Sequence, residues 1–132
     1  KNINNILIQP YVEEIQNGEL SIIIVDNEIM YGIKRFPGIF TDQVKLEYIS
    51  KEKIDKKIRD LIAEIAKVIE YQNKSYYRLD LIQSDNEYKI IEIELLDPSL
   101  FIETIPNKEY RNKIYDKLAK SIINSIEKQT GK

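Results

Sequence analysis

The stretch YYRLDLIQSDNEYKIIEIELLDPSL, from Tyr76 to Leu100, decides how the chain is read. Two runs mixing apolar and charged residues flank a short polar segment, the signature of antiparallel strands joined by a tight turn. Side chains alternate faces along a strand, so Arg78, Asp80 and Ile82 share one face, and Tyr88, Ile90, Glu92 and Glu94 lie together on the partner. A loop of Asp85, Asn86 and Glu87, with Ser84 opposite Tyr88, sets Asp80 against Glu92 and Arg78 against Glu94. Opposed side chains sit about 4.5–5.5 Å apart at Cβ, so the first pair repels and the second attracts. A divalent cation such as Mg2+, which is held by one or two carboxylates with other oxygens completing its shell, would relieve the excess negative charge. The same residues also fit a solvated sheet face with surface ion pairs, or a one-residue slip that parts the charged sets. The pattern by itself does not choose.

Upstream of this hairpin, GELSIIIVDNEIMYGIKRF contains two apolar runs, Leu20 to Val25 and Ile29 to Phe36, around a D-N-E turn, and predicts a second hairpin. Before it, NILIQPYVEEI reads as a strand interrupted at Pro10, which cannot donate to a ladder, followed by an extended connector. PGIFTDQ reads as a loop, and a short strand is expected around Val44 to Ile49. The spacing of Ile54, Ile58, Leu61, Ile62, Ile65, Val68 and Ile69 predicts an amphipathic helix over 51–71, capped by Ser50. A second helix follows Asn107 as its N-cap, with Tyr110, Ile114, Leu118, Ile122 and Ile126 assigned to one face. The order β, ββ, α, ββ, α predicts an α+β fold, a largely antiparallel sheet with both helices on one face.

The chain has 132 residues, 42% of them hydrophobic and 32% charged, which suits one folded domain spanning 1–132. Its net charge is only −2, with no basic block to neutralise a run of phosphates, so nucleic acid is not an expected partner. No apolar run approaches membrane-spanning length and the opening KNINNILIQP lacks a signal-peptide core, so no membrane partner and a cytoplasmic location are expected. Cysteine and histidine are both absent, which removes thiolate, disulfide and imidazole chemistry. Carboxylates, Lys, Arg, Tyr and hydroxyls remain. The start at Lys1 without Met is read as an excised piece of something longer.

Taken with its continuation into Pro98, the pair Arg78-Leu79-Asp80 and Glu92-Ile93-Glu94 resembles the metal and phosphate site of the ATP-grasp ligases, in particular the glutathione synthetase-like members. There an Arg-x-Asp strand precedes a Glu-x-Asn strand that runs into a Pro-containing loop. The resemblance implies that Asp80, Glu92 and Glu94 hold Mg2+ bridging ATP phosphates, with Arg78 on phosphate or acyl phosphate. Glu94 departs from the commoner Asn and adds a charge. QPYVEEIQNGELSIIIVDNEIMYGIKRFP is similar to the family's adenine hinge and ribose-binding hairpin. That implies backbone contacts to adenine from Pro10, Tyr11 and Val12, a ribose contact from Glu19, and a catalytic contact to the phosphates or acyl phosphate from Arg35, with Lys34 a weaker candidate beside it. Ser99, in the loop that lines the acceptor site in the family, is either a substrate contact or a turn residue; Leu100 and Phe101 read as core.

The chain resembles the family's C-terminal grasp subdomain alone, since the first subdomain with its glycine-rich loop and lysines has no counterpart among these residues. The implied activity of the parent is an ATP- and Mg2+-dependent carboxylate–amine ligase, with a small-molecule carboxylate and amine as substrates and the fragment alone inactive. The alternative is a non-catalytic nucleotide-binding or interaction module. A sheet cut from its other half would expose an apolar face or free edge, favouring a homodimer or pairing with the missing N-terminal part.

Overall fold

The computed structural model describes residues 10–37, 44–69 and 75–130. Its strands are β1 (Glu19–Val25), β2 (Glu28–Phe36), β3 (Lys45–Ser50), β4 (Tyr76–Ser84) and β5 (Glu87–Glu94), and its helices α1 (Lys56–Ile69) and α2 (Lys108–Thr130). They form an α+β fold whose five-stranded antiparallel sheet has the order β3-β2-β1-β4-β5. The expected strand upstream of Pro10 and most of the loop after Pro37 lie outside the described residues. The connector after Pro10 is not extended throughout, since Glu13–Asn17 coil into a 3-10 turn. Among the described residues no helix is long and apolar enough to cross a membrane.

Both hairpins turn on Asp-Asn with positive φ at each residue, 51° and 61° at Asp26 and Asn27, 50° and 62° at Asp85 and Asn86. Two successive positive φ values define the type I′ turn, whose twist matches that of the flanking strands. The second turn is therefore two residues long and pairs Ser84 with Glu87, where the sequence reading expected three residues and Ser84 opposite Tyr88. A bulge between Leu81 and Asp80 then shifts the ladder by one residue, skipping Ile91, and Asp80 faces Glu92 as expected. The first hairpin does the same, skipping Met30 between Ile24–Ile29 and Ile23–Tyr31.

The helices cover opposite faces, which corrects the one-face expectation. Ile54, Ile58, Ile62 and Ile65 pack over Ile22, Ile24, Leu79 and Leu81, while Ile114 and Leu118 of α2 pack with Ile102 and Ile105 over Ile23, Val25, Tyr31 and Ile33. The central run Ser21–Val25 is buried throughout, as a strand covered on both sides must be. Each of these isoleucines contributes about 1.5–3 kcal/mol relative to exposure.

The helix limits also differ from the periodicity reading. Ser50 ends β3, Lys51–Lys53 form a 3-10 turn, and Asp55 caps α1 by accepting the Lys57 N–H at 2.8 Å. Val68 is 70% exposed and lies off the buried stripe. Asn107 caps α2 through Tyr110 N–H at 2.9 Å, as expected. Ile122 and Ile126 are exposed, because sixteen residues from Tyr110 to Ile126 rotate the direction by roughly 160° at 3.6 residues per turn. The buried Ser121 of α2 donates instead to Asp26 and to the Ser75 carbonyl, tying the helix to the first turn.

Candidate functional site

The face beneath α2 turns from apolar to charged toward one end of the sheet. Register puts Glu19 of β1 beside Arg35 of β2, Ser21 beside Asp80 of β4, Asp80 beside Glu92 of β5, and Arg78 beside Glu94. Four strands thus converge on one cluster.

Asp80 is its centre and is 1% exposed. Arg78 donates to it twice, Nε to Oδ1 at 2.9 Å and Nη2 to Oδ2 at 2.8 Å, and Arg35 Nη2 reaches Oδ2 at 3.0 Å. Arg35 Nη2 also meets Glu19 in a very short contact, and Arg78 Nη2 pairs with Glu94 Oε2 at 2.5 Å. A buried carboxylate is tolerable only with such partners. Burial lowers the Arg78 pKa, but the neighbouring carboxylates of Asp80, Glu94 and Glu92 outweigh it and hold the guanidinium charged. Burial raises the Glu19 carboxyl, against the pull of Arg35 and with a further push from Asp80.

Lone pairs decide whether a cation fits. A carboxylate offers about four acceptor positions, and three of those on Asp80 are taken. One remains on Oδ1. Glu94 Oε1 and the exposed Glu92 have no bonded partner among the described residues. One oxygen each from Asp80, Glu92 and Glu94 lies within 4.8 Å of the other two. Hard oxygen donors at that spacing suit Mg2+, so the residues present fit the ion.

The two arginines are not equivalent. All three nitrogens of Arg78 are engaged, Nη1 donating to the Ser99 carbonyl at 3.2 Å, whereas Arg35 Nε is buried without a partner. Ser99 meets the cluster through its backbone, and its side chain is exposed. Lys34 is not part of the cluster: it lies on the α1 side of the sheet, packs over Gly18 and Phe36, and lines a separate cleft of about 450 Å³ with Leu20 and Gln83. The hinge residues Pro10 and Tyr11 are exposed and Val12 half-buried. Tyr11 and Val12 line a cleft of about 720 Å³ with Glu14, Gln16 and Lys89. Glu14 is tied to β4 by Ser84 Oγ at 2.6 Å, and Lys89 donates to the same hydroxyl at 3.0 Å.

Sequence reasoning missed the bond between Arg35 and Asp80, 45 residues apart. It depends on β1 pairing with β4, a non-local contact that leaves no local signal. Phe101, expected in the core, does pack half-buried against the cluster under α2; what the sequence does not show is that both guanidinium carbons also lie over its ring, 5.8 Å from the centroid.

A family model described as the RimK-like ATP-grasp domain matches residues 2–125. Among solved structures the chain is similar to the D-alanine–D-alanine ligase from Bacillus anthracis complexed with ATP, at a TM-score of 0.56 and 15% identity over 84% of this chain and 40% of that one. It is also similar to the ATP-grasp ligase PsnB complexed with a minimal precursor, at 0.55 and 17% identity over 80% of this chain and 34% of that one. PsnB complexed with its minimal precursor, Mg and ADP gives 0.55 and 13% over 79% and 33%. At these identities the likeness is one of fold, and the chain spans about a third to two-fifths of those structures. No curated protein matches.

Proposed function

This chain belongs to the RimK-like ATP-grasp domain family, and from that premise we propose that it is the C-terminal subdomain of an ATP-dependent carboxylate–amine ligase, acting in the cytoplasm with Mg2+ and ATP. The observation that carries the reading is the convergence of Asp80, Glu92 and Glu94 on one point beside two guanidiniums. In the reaction, of the glutathione synthetase-like type, a carboxylate oxygen attacks the terminal phosphorus of ATP and ADP leaves. An amine then attacks the acyl carbon of the resulting acyl phosphate, phosphate departs, and the nitrogen loses a proton. The three carboxylates would hold Mg2+, which when bound would supply neutralisation of charge on the phosphates.

The residues divide the remaining work. Asp80, Glu92 and Glu94 would supply the metal's protein oxygens. Asp80 also fixes both arginines, and Arg35, with its unfilled donor, stabilises charge that grows on the transferring group. Arg78, fully engaged, holds Asp80 and the Ser99 loop in place. Glu19 orients the ribose, and the backbone of Pro10, Tyr11 and Val12 faces adenine. No side-chain nucleophile is needed, in keeping with a chain that has neither Cys nor His.

Trapping of the acyl phosphate tests this. The full-length natural protein, given Mg·ATP, hydroxylamine and a panel of small carboxylates, is expected to form a hydroxamate with at least one of them, and Arg35→Gln to lower that rate by about 100-fold, the scale of one lost transition-state donor. Equal rates in both proteins would overturn the role of Arg35.

A second reading, a non-catalytic interaction module, draws on the exposed Tyr115, Ile122, Ile123 and Ile126 of α2. Such a surface would suit a second copy or the remainder of a ligase. Hydroxamate formation would exclude it.

A further inference from the structure

The loop after β5 holds an aromatic residue in a backbone conformation that costs energy. Phe101 has φ 53° and ψ 33°, the left-handed region that a residue with a Cβ rarely occupies. Strain of this kind persists where the surroundings over-determine it, and it gathers at functional sites.

The surroundings here are specific. Three consecutive carbonyls are each held by a different donor: Ser99 by Arg78 Nη1 at 3.2 Å, Leu100 by the Tyr31 hydroxyl at 2.6 Å, and Phe101 by Thr104, through its N–H at 3.0 Å and Oγ1 at 2.7 Å. The ring so fixed lies against Arg35 and Arg78 at the same distance, 5.8 Å from its centroid to each guanidinium carbon. That is within the reach of cation–π attraction, which grows as the pair is withdrawn from water. Arg78 needs no further restraint, since its nitrogens are already bonded. Arg35 does: among the described residues its hydrogen bonds run through Nη2, and Nε is buried without a partner.

We propose that Phe101 is a positioning residue: its ring spans the two arginines and holds Arg35 so that its unfilled donors meet an oxyanion of the transferring phosphoryl group. The inference rests on the ligase reading above. Its particular content is that the π face of residue 101, rather than its apolar bulk, sets the affinity for the terminal phosphate.

Calorimetry on the full-length natural protein separates the two. The probes are Mg·adenylyl imidodiphosphate, which has a terminal phosphoryl group, and Mg·ADP, which lacks it. Phe101→Leu keeps apolar bulk and removes the π face; Phe101→Tyr keeps both. The expected result is that Phe101→Leu weakens the imidodiphosphate about tenfold and Mg·ADP less than about twofold, with Phe101→Tyr close to wild type for both. Arg35→Gln should copy Phe101→Leu. Wild-type affinity in Phe101→Leu with weakened binding in Arg35→Gln overturns the role of Phe101 and leaves the site reading intact. Wild-type affinity in Arg35→Gln overturns the assignment of Arg35 itself. Equal weakening by Leu and Tyr, or equal loss for both nucleotides, would make residue 101 a packing residue only and overturn the proposal.

Discussion

The two hairpins that build the charged face begin alike, each turning on Asp-Asn-Glu with paired positive φ angles, and each then carries a bulge between the turn and its charged end. Their difference lies in what the bulge accomplishes. In β1–β2 an unbroken ladder would set Glu19 opposite Lys34; skipping Met30 sets it opposite Arg35 and sends Lys34 to the α1 side. In β4–β5 an unbroken ladder would set Asp80 opposite Ile91; skipping Ile91 brings Glu92 and Glu94 onto the face of Asp80 and Arg78. A bulge re-aims side chains without changing the turn. One hairpin uses it to choose which cation enters the cluster, the other to gather its acids. The skipped residues differ too, since Met30 is 5% exposed in the core under α2, whereas Ile91 sits half-buried on an edge strand.

The largest expected effect is at the point where the hairpins meet. Asp80→Ala leaves two guanidiniums without their shared buried acceptor, and should lower unfolding free energy by about 3–5 kcal/mol in urea denaturation. Glu19→Ala removes a partly exposed partner of Arg35, and should cost about 1 kcal/mol. Equal losses would mean that the two hairpins are not joined through Asp80.

Next come the skipped residues. Met30→Ala should cost about 2–4 kcal/mol as a core truncation, and Ile91→Ala less than about 1.5 kcal/mol because its site is already partly open to water. Thermal unfolding of the two variants side by side checks the contrast.

Much of this organisation is legible in the sequence. The D-N-E turns, the stripe of α1 and the Asn107 cap carry local chemistry, and the facing of Asp80 with Glu92 follows from face alternation. The bulges do not announce themselves: a three-residue loop and a two-residue turn followed by a skipped residue give the same pairing at Asp80. The run Ser21–Val25 lacks alternation because both its faces are covered, a signal that the expectation of helices on one side overlooked. Counting in fours places Ile122 and Ile126 inward, but that count drifts by about 40° per step on a helix of 3.6 residues per turn. The contact of Phe101 with Arg35 and Arg78 is not legible in the sequence, because the two arginines come from separate hairpins.

The smallest effect concerns the acid of the first hairpin. Burial raises the Glu19 carboxyl above its ordinary value of 4.5, so in a window beginning there the native state holds a proton that the unfolded chain has lost. Stability contributed by this group is therefore present at lower pH and declines as pH rises through the folded value. Glu19→Gln should flatten that decline in urea unfolding measured from pH 4 to 6 (about the carboxylate range). A steeper slope in the variant would reverse the sign assigned to Glu19.

The central claim is that the acids gathered by the second hairpin hold a nucleotide-bound metal, and Glu92 tests it most cleanly, because it is exposed and its removal should change stability by no more than about 0.5 kcal/mol. The measurement is calorimetric binding of ATP to the full-length natural protein, with and without Mg2+, for wild type and Glu92→Gln. The Mg2+-dependent gain in affinity should fall about tenfold or more in the variant; the same gain in both proteins would mean that these acids hold no nucleotide-bound metal.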